Sequence, residues 1–305
     1  DLLKSLATAD DQALRLEALR TLQAANPQVS AELLRSIAAD EKRSLSERCE
    51  AVVGLASFAK TEPVGSPTRA LLIQLSSAKQ PQLRREAVRA LRGLLATDPG
   101  VRAAITAVAA ALSNETDHAI AVELADQIAL SFGDAKLEVP SAAASIASKR
   151  PTTNAEWLAQ LNRGRDVDAE AGRRTFYHSL GAGCFKCHRI DGRGGRVGPD
   201  LSRAVGTMNR IQLIPSILDP SREISPQYTS WAFVLKDGRV VTGMVVHENE
   251  GKTIVGNSDG QTIELKTADI EERTPQRVSV MPDKLTDRMT LQELRDLIAF
   301  LDAQR

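Results

Sequence analysis

The 305 residues carry 39 Lys+Arg against 39 Asp+Glu, with 42% apolar and 26% charged residues, an ordinary balance for a globular chain of about two domains. That neutrality lacks the basic surface of a general nucleic-acid or anionic-membrane binder, and no apolar run is long enough to cross a bilayer. Three cysteines exclude a disulfide framework as the basis of the fold.

The chain opens on Asp1-Leu2-Leu3-Lys4, already in a helical pattern and with no signal peptide, so we read it as a segment of a longer polypeptide. From Asp1 to Asp134 it is rich in Ala, Leu and Arg at helical spacing, and it resembles itself. Leu16-Glu17-Ala18-Leu19 with Leu22 matches Cys49-Glu50-Ala51-Val52 with Leu55, then Arg85-Glu86-Ala87-Val88 with Leu91, at intervals of about 33 and 36 residues. Val122, Glu123, Ala125 and Ile128 suggest a fourth copy. Prolines place the breaks at Asn26-Pro27, Glu62-Pro63, Gly65-Ser66-Pro67 and Asp98-Pro99-Gly100. Such helix pairs bury their apolar faces only by stacking on one another, and the pattern resembles HEAT repeats. Cys49 stands at an apolar position and reads as a buried thiol, and His118 as a residue on or near a helix surface. Residues 135–153, small, polar and proline-punctuated, read as a linker. Only Phe58 and Phe132 precede Pro151, whereas the other eight aromatic residues follow it, so the halves are built differently.

Beyond the linker, Cys184-Phe185-Lys186-Cys187-His188 is the attachment motif for haem c. Two thiols three positions apart suit the two vinyl groups of one porphyrin, and the adjacent imidazole is then held at the iron. A zinc site needs about four ligands, for which no second Cys/His cluster exists, and no βαβ pattern supports a thioredoxin-like pair. Helices are predicted over Asp168–Tyr177 and Thr290–Leu301, the second with a Thr290/Glu293 capping box. These two resemble the crossed first and last helices of small mitochondrial-type cytochromes c, with Gly172 permitting close approach near Phe300. Gly198-Pro199-Asp200-Leu201 resembles the segment whose proline carbonyl accepts a hydrogen bond from the proximal histidine, here His188. Among Met208, Met244, Met281 and Met289, Met281 stands before Pro282 and just upstream of the last helix, where cytochromes of this type keep their distal methionine. His178 and His247 are reserve candidates, and a five-coordinate iron is the remaining possibility.

Between His188 and Met281 the chain has β character. Tyr228–Leu235, Arg239–Val246, Lys252–Val255 and Thr262–Leu265 read as strands, the first two joined at Lys236-Asp237-Gly238. This suggests a small sheet or SH3-like barrel inserted over about 226–274, which either covers the cofactor edge, binds a partner, or only stabilises. Trp231 reads as a buried strand residue.

Cys184 to His188, Gly192 to Leu201, Ser216-Ile217-Leu218-Asp219-Pro220-Ser221, Asp237-Gly238-Arg239 and Val280-Met281-Pro282 together resemble the c-type haem-binding domain of planctomycetes and verrucomicrobia, over about 154–305. In that family the domain often ends a long secreted polypeptide, after a β-propeller resembling sugar dehydrogenases and HEAT-like repeats. Family members commonly carry glycine where Lys284 stands here.

The resulting expectation is a mainly α chain. It comprises a HEAT-like α-solenoid (1–134), a linker (135–153) and a class-I-like cytochrome c domain (154–305) with its inserted β-module. It implies one covalent haem c on Cys184 and Cys187, His188 and Met281 as iron ligands, and Pro199 supporting His188. The function is one-electron relay rather than catalysis, in the periplasm or another extracytoplasmic space. The implied partners are a dehydrogenase or β-propeller domain of the parent polypeptide as donor and a second redox protein as acceptor. The rival classes are a haem sensor or peroxidase-like enzyme with an open sixth site, and a scaffold in which the repeats do the work.

Overall fold

The computed structural model describes residues 2–25, 31–161, 166–202, 208 and 210–304. The chain is mainly α-helical, with a five-stranded antiparallel sheet and a two-stranded hairpin. It divides into two compact units, Asp1–Arg150 with His178–Ala182, and Pro151–Tyr177 with Gly183–Arg305.

The first unit runs α1 (Leu2–Leu6), α2 (Gln12–Ala25), α3 (Ala31–Ala39), α4 (Leu45–Thr61), α5 (Pro67–Leu75), α6 (Pro81–Leu91), α7 (Pro99–Ala111), α8 (His118–Asp134) and α9 (Ser141–Ile146). Pro67, Pro81 and Pro99 each open a helix, where the missing N–H is not needed, and Ser66, Asp98 and Asp117 cap α5, α7 and α8. The break expected at Asn26-Pro27 lies outside the described residues. The four self-similar segments fall on α2, α4, α6 and α8, and these pack on one another in that order, while α3, α5 and α7 form a second rank. One continuous core results, including Leu19, Cys49, Leu55, Leu83, Val88 and Ile128. Cys49 is buried there and His118 is exposed, as their positions suggested. The segment expected as linker is a correction: Ser141–Ile146 forms α9, which packs on α8 with Ala143 buried in this core. Its run of alanines supplies helix propensity that the flanking prolines obscured.

The arginines and acids of the repeats join successive helices. Arg15 bonds Glu47 at 2.6 Å, Arg20 meets Glu50 at 3.4 Å and Arg85 bonds Glu123 at 2.8 Å. Burial pushes the Glu47 carboxyl up, but hydrogen bonds from Arg15, Ser44 and Arg43 outweigh it and hold the group at about 2, below its ordinary 4.5. A depressed carboxylate stabilises the fold above its unfolded value and loses that contribution as pH falls from about 4.5 through about 2. Glu47→Gln is therefore expected to cost roughly 2–3 kcal/mol at pH 7. Urea titrations at pH 7 and pH 2.5 check this: the gap between variant and wild type must narrow in acid.

In the second unit α10 (Asn154–Leu161), α11 (Ala169–Tyr177), α12 (Arg210–Leu218) and α13 (Leu291–Asp302) surround the segments that carry the site. The capping box forms at the start of α13, with Thr290 Oγ1 accepting from Glu293 N and Glu293 accepting from Thr290 N. Helices α11 and α13 meet at Gly172, where a Cβ would lie 1.9 Å from the Asp296 carbonyl oxygen. Phe176 and Phe300 pack beside this contact, ring centroids 5.9 Å apart, and Asp296 accepts hydrogen bonds from Asp168 N and Gln292 Nε2. The close approach read from Gly172 and Phe300 is thus present.

Strands β1 (Arg189–Ile190) and β2 (Arg193–Gly194) form a hairpin whose turn residues Asp191 and Gly192 both have positive φ, as an Asp-Gly turn of this kind requires. The sheet comprises β3 (Ser230–Leu235), β4 (Val240–Glu248), β5 (Lys252–Gly256), β6 (Thr262–Lys266) and β7 (Ile270–Gln276), in the order β6-β5-β4-β3-β7. Phe233, Leu235, Val255 and Leu265 form its core. Two expectations change. Tyr228 ends a 3₁₀ turn rather than opening β3, and the polar run Ile270–Gln276 is a fifth strand on β3. Being an edge strand, β7 tolerates charge and Pro275, and so lacks the alternation that reveals a half-buried strand. The module expected over about 226–274 is thus a five-stranded antiparallel sheet in which the last strand pairs with the first.

Candidate cofactor site

Gly183, in a left-handed conformation (φ 68), turns the chain into a short 3₁₀ helix over Cys184–Lys186. His188 N and Cys187 N both donate to the Cys184 carbonyl, at 2.9 and 3.2 Å, so the two cysteines and the histidine share one tight turn. The following segment folds back over it. Gly195 N donates to Phe185 O at 2.7 Å and Gly198 N to Cys187 O at 2.8 Å. A Cβ at Gly198 would lie 2.7 Å from the His188 ring, so only glycine leaves room for the imidazole there.

His188 Nδ1 is 3.0 Å from the Pro199 carbonyl, which only accepts, so the proton is on Nδ1 and the lone pair on Nε2. Burial lowers the His188 pKa and the Pro199 bond opposes this, leaving the imidazole neutral at neutral pH. Burial pushes the Cys184 thiol up to about 12. Burial also raises Cys187, with Lys186 lowering and Asp259 raising it.

Cys184, Cys187, His188, Pro199 and Met281 all line one cavity of about 260 Å³, walled by apolar side chains from α11, α12, β4 and α13. Met208, Met244 and Met289 line it too, so all four methionines of the chain border the same space. Resemblance singles out Met281, and chain position alone holds no signal that the other three converge with it. The reserve candidates His178 and His247 are not among the lining residues, nor is Trp231, which packs on the sheet core beneath the Arg273 guanidinium.

Among the described residues no three His, Cys, Asp or Glu side chains gather as a metal-ion cluster. The donor set fits a haem, which the two thiols, the imidazole and a thioether would hold. Two thiols lie at one wall, an imidazole has its Nε2 lone pair available, thioethers border the same cavity and the walls are apolar.

Met281 N donates to Ser279 Oγ at 3.1 Å, and Ser279 N to Ser221 Oγ at 3.1 Å, tying the methionine loop to the segment after α12. Three residues on, Lys284 adopts φ 59. This is a left-handed backbone, the conformation that glycine adopts at no steric cost. Lys284→Gly relieves this strain against a larger unfolded-state entropy and is expected to raise stability by up to about 1 kcal/mol. A denaturant midpoint that moves down would contradict it.

No helix among the described residues is long and apolar enough to cross a membrane. The sequence matches no protein-family model and no curated protein sequence.

Proposed function

We propose that this chain is a c-type cytochrome module that relays single electrons. The observation that carries the reading is that the Cys184–Cys187–His188 turn and Met281, far apart in sequence, border one apolar cavity, with the His188 tautomer set by Pro199. When bound, a haem c supplies a one-electron iron couple. The chain's own residues do the rest. Cys184 and Cys187 would anchor the macrocycle, His188 Nε2 and Met281 would ligate the iron, and the Pro199 carbonyl holds the imidazole and raises its basicity. The apolar walls exclude water and would tune the potential.

The second unit is read as a cytochrome c domain of the planctomycete and verrucomicrobial type, and the first as a HEAT-like solenoid that presents it. The donor is a dehydrogenase domain of a longer parent polypeptide, the acceptor another redox protein, and the compartment extracytoplasmic.

Visible spectra of the oxidised and reduced protein, beside Met281→Ala, test this. A low-spin c-type spectrum whose weak far-red sulfur-to-iron band disappears in the variant supports His188/Met281 ligation. A band that survives in Met281→Ala but not in Met244→Ala transfers the ligand role to β4. A high-spin spectrum with rapid carbon monoxide binding rejects the relay in favour of a sensor or enzyme.

A further inference from the structure

We infer that the tip of the β5–β6 hairpin, through Gly260, is a positioning element for the Cys184–His188 turn. Its functional consequence rests on the reading above, although its structural basis does not. Asn257 shapes the tip: its Oδ1 accepts from Asp259 N at 3.0 Å and from Gln261 N at 2.9 Å, and its carbonyl accepts from Gly260 N at 3.0 Å. Gly260 is thereby held at φ +78, and a Cβ there would lie 2.4 Å from the Lys186 carbonyl oxygen.

Gly195, just beyond β2, closes on the same oxygen, with a hypothetical Cβ at 1.9 Å. The Lys186 peptide leads directly into Cys187 and His188, and two glycines from distant parts of the chain meet it. The contact continues along β5, where a Cβ on Gly256 would lie 2.6 Å from Val197, and β4 brings Met244 to the cavity. The sheet therefore meets the turn, the segment that covers it and the cavity wall. A detached partner-binding appendage would need none of these contacts.

Gly238 provides the internal control. It occupies the β3–β4 turn of the same sheet at φ +85, yet a Cβ there meets nothing within 4 Å. Alanine at either position brings left-handed strain, but only at 260 does it also push on Lys186.

The experiment uses the full chain with Gly260→Ala, Gly238→Ala and Asn257→Ala, the last loosening the tip without added bulk. Amide hydrogen exchange is followed over Phe185–Gly198, with β5 as the reference for an intact sheet. Exchange of Phe185–Gly198 is expected to quicken about tenfold in Gly260→Ala and Asn257→Ala and to stay within about twofold in Gly238→Ala. Equal acceleration at 238 and 260, or none at 260, overturns the inference; if Gly260→Ala does not fold, Asn257→Ala decides on the same scale. In pigmented protein the midpoint potential is expected to shift in Gly260→Ala and not in Gly238→Ala, and an unshifted potential overturns the coupling to the site. A chain that never acquires haem defeats the proposed function, while the exchange measurement still decides the role of the hairpin.

Discussion

Gly172→Val is expected to lower the unfolding free energy of the second unit by about 4 kcal/mol or more. A Cβ at this position would sit 1.9 Å from the Asp296 carbonyl oxygen and 2.8 Å from Leu297 N. Both are backbone atoms inside α13, so no side chain can swing away, and α11 and α13 must separate. Separation opens the Phe176–Phe300 contact and pulls Asp296 from the Asp168 amide. Phe176, Leu297 and Leu301 also line the cavity, so the damage reaches the site. Gly133→Ala is the matching control: in α8 a Cβ meets nothing within 4 Å, and the change is expected to gain up to about 1 kcal/mol of helix propensity. Denaturant titrations of both variants check the pair. A Gly172→Val loss no larger than about 1 kcal/mol would mean that the crossing is looser than its geometry requires.

That crossing was expected from the resemblance of the two segments to the crossed helices of small cytochromes c, and Gly172 fits it because a glycine inside a helix is costly unless another backbone needs its place. The self-similar segments were legible for a related reason, since each repeat must present the same apolar face to its neighbours. Their charged residues were harder to interpret. Arg15, Arg20 and Arg85 look like solvated helix surface until the neighbouring helix brings Glu47, Glu50 and Glu123 to them. Helix α9 and strand β7 were missed because their local signals, alanine beside proline and charge on an edge strand, are also those of loops.

The site divides similarly. Cys184, Cys187 and His188 announce themselves because their chemistry needs adjacency in sequence. Pro199 and Met281 were placed by resemblance, not by spacing. The other three methionines, and the role of Gly260, depend on tertiary contacts between segments tens of residues apart, which no local pattern encodes. Lys284 is the converse case: the departure from the family's glycine was visible in the sequence, but its meaning required φ 59.

The second large effect concerns the thiols. On the proposed reading, Cys184→Ala combined with Cys187→Ala removes every covalent link to the cofactor. Extraction in acidified organic solvent should then strip all pigment from the double variant and none from wild type, while each single variant keeps its pigment through the remaining cysteine. The unpigmented chain carries a second, independent consequence. With Cys184 raised by burial from 9.0 to about 12, its thiolate fraction at pH 7 is about a thousandfold below that of an ordinary thiol. Alkylation of native, unpigmented protein should therefore be slow at Cys184 and should recover its ordinary rate on unfolding. The same shift makes the folded thiol hold a proton that the unfolded chain releases, so stability falls as pH rises from about 9 to about 12. The double variant should lack that fall. Rapid alkylation of Cys184 at pH 7 in folded protein would show that its pKa is not raised. Pigment retained by the double variant would show that neither cysteine anchors it, and the attachment reading would be abandoned while the thiol measurement stood.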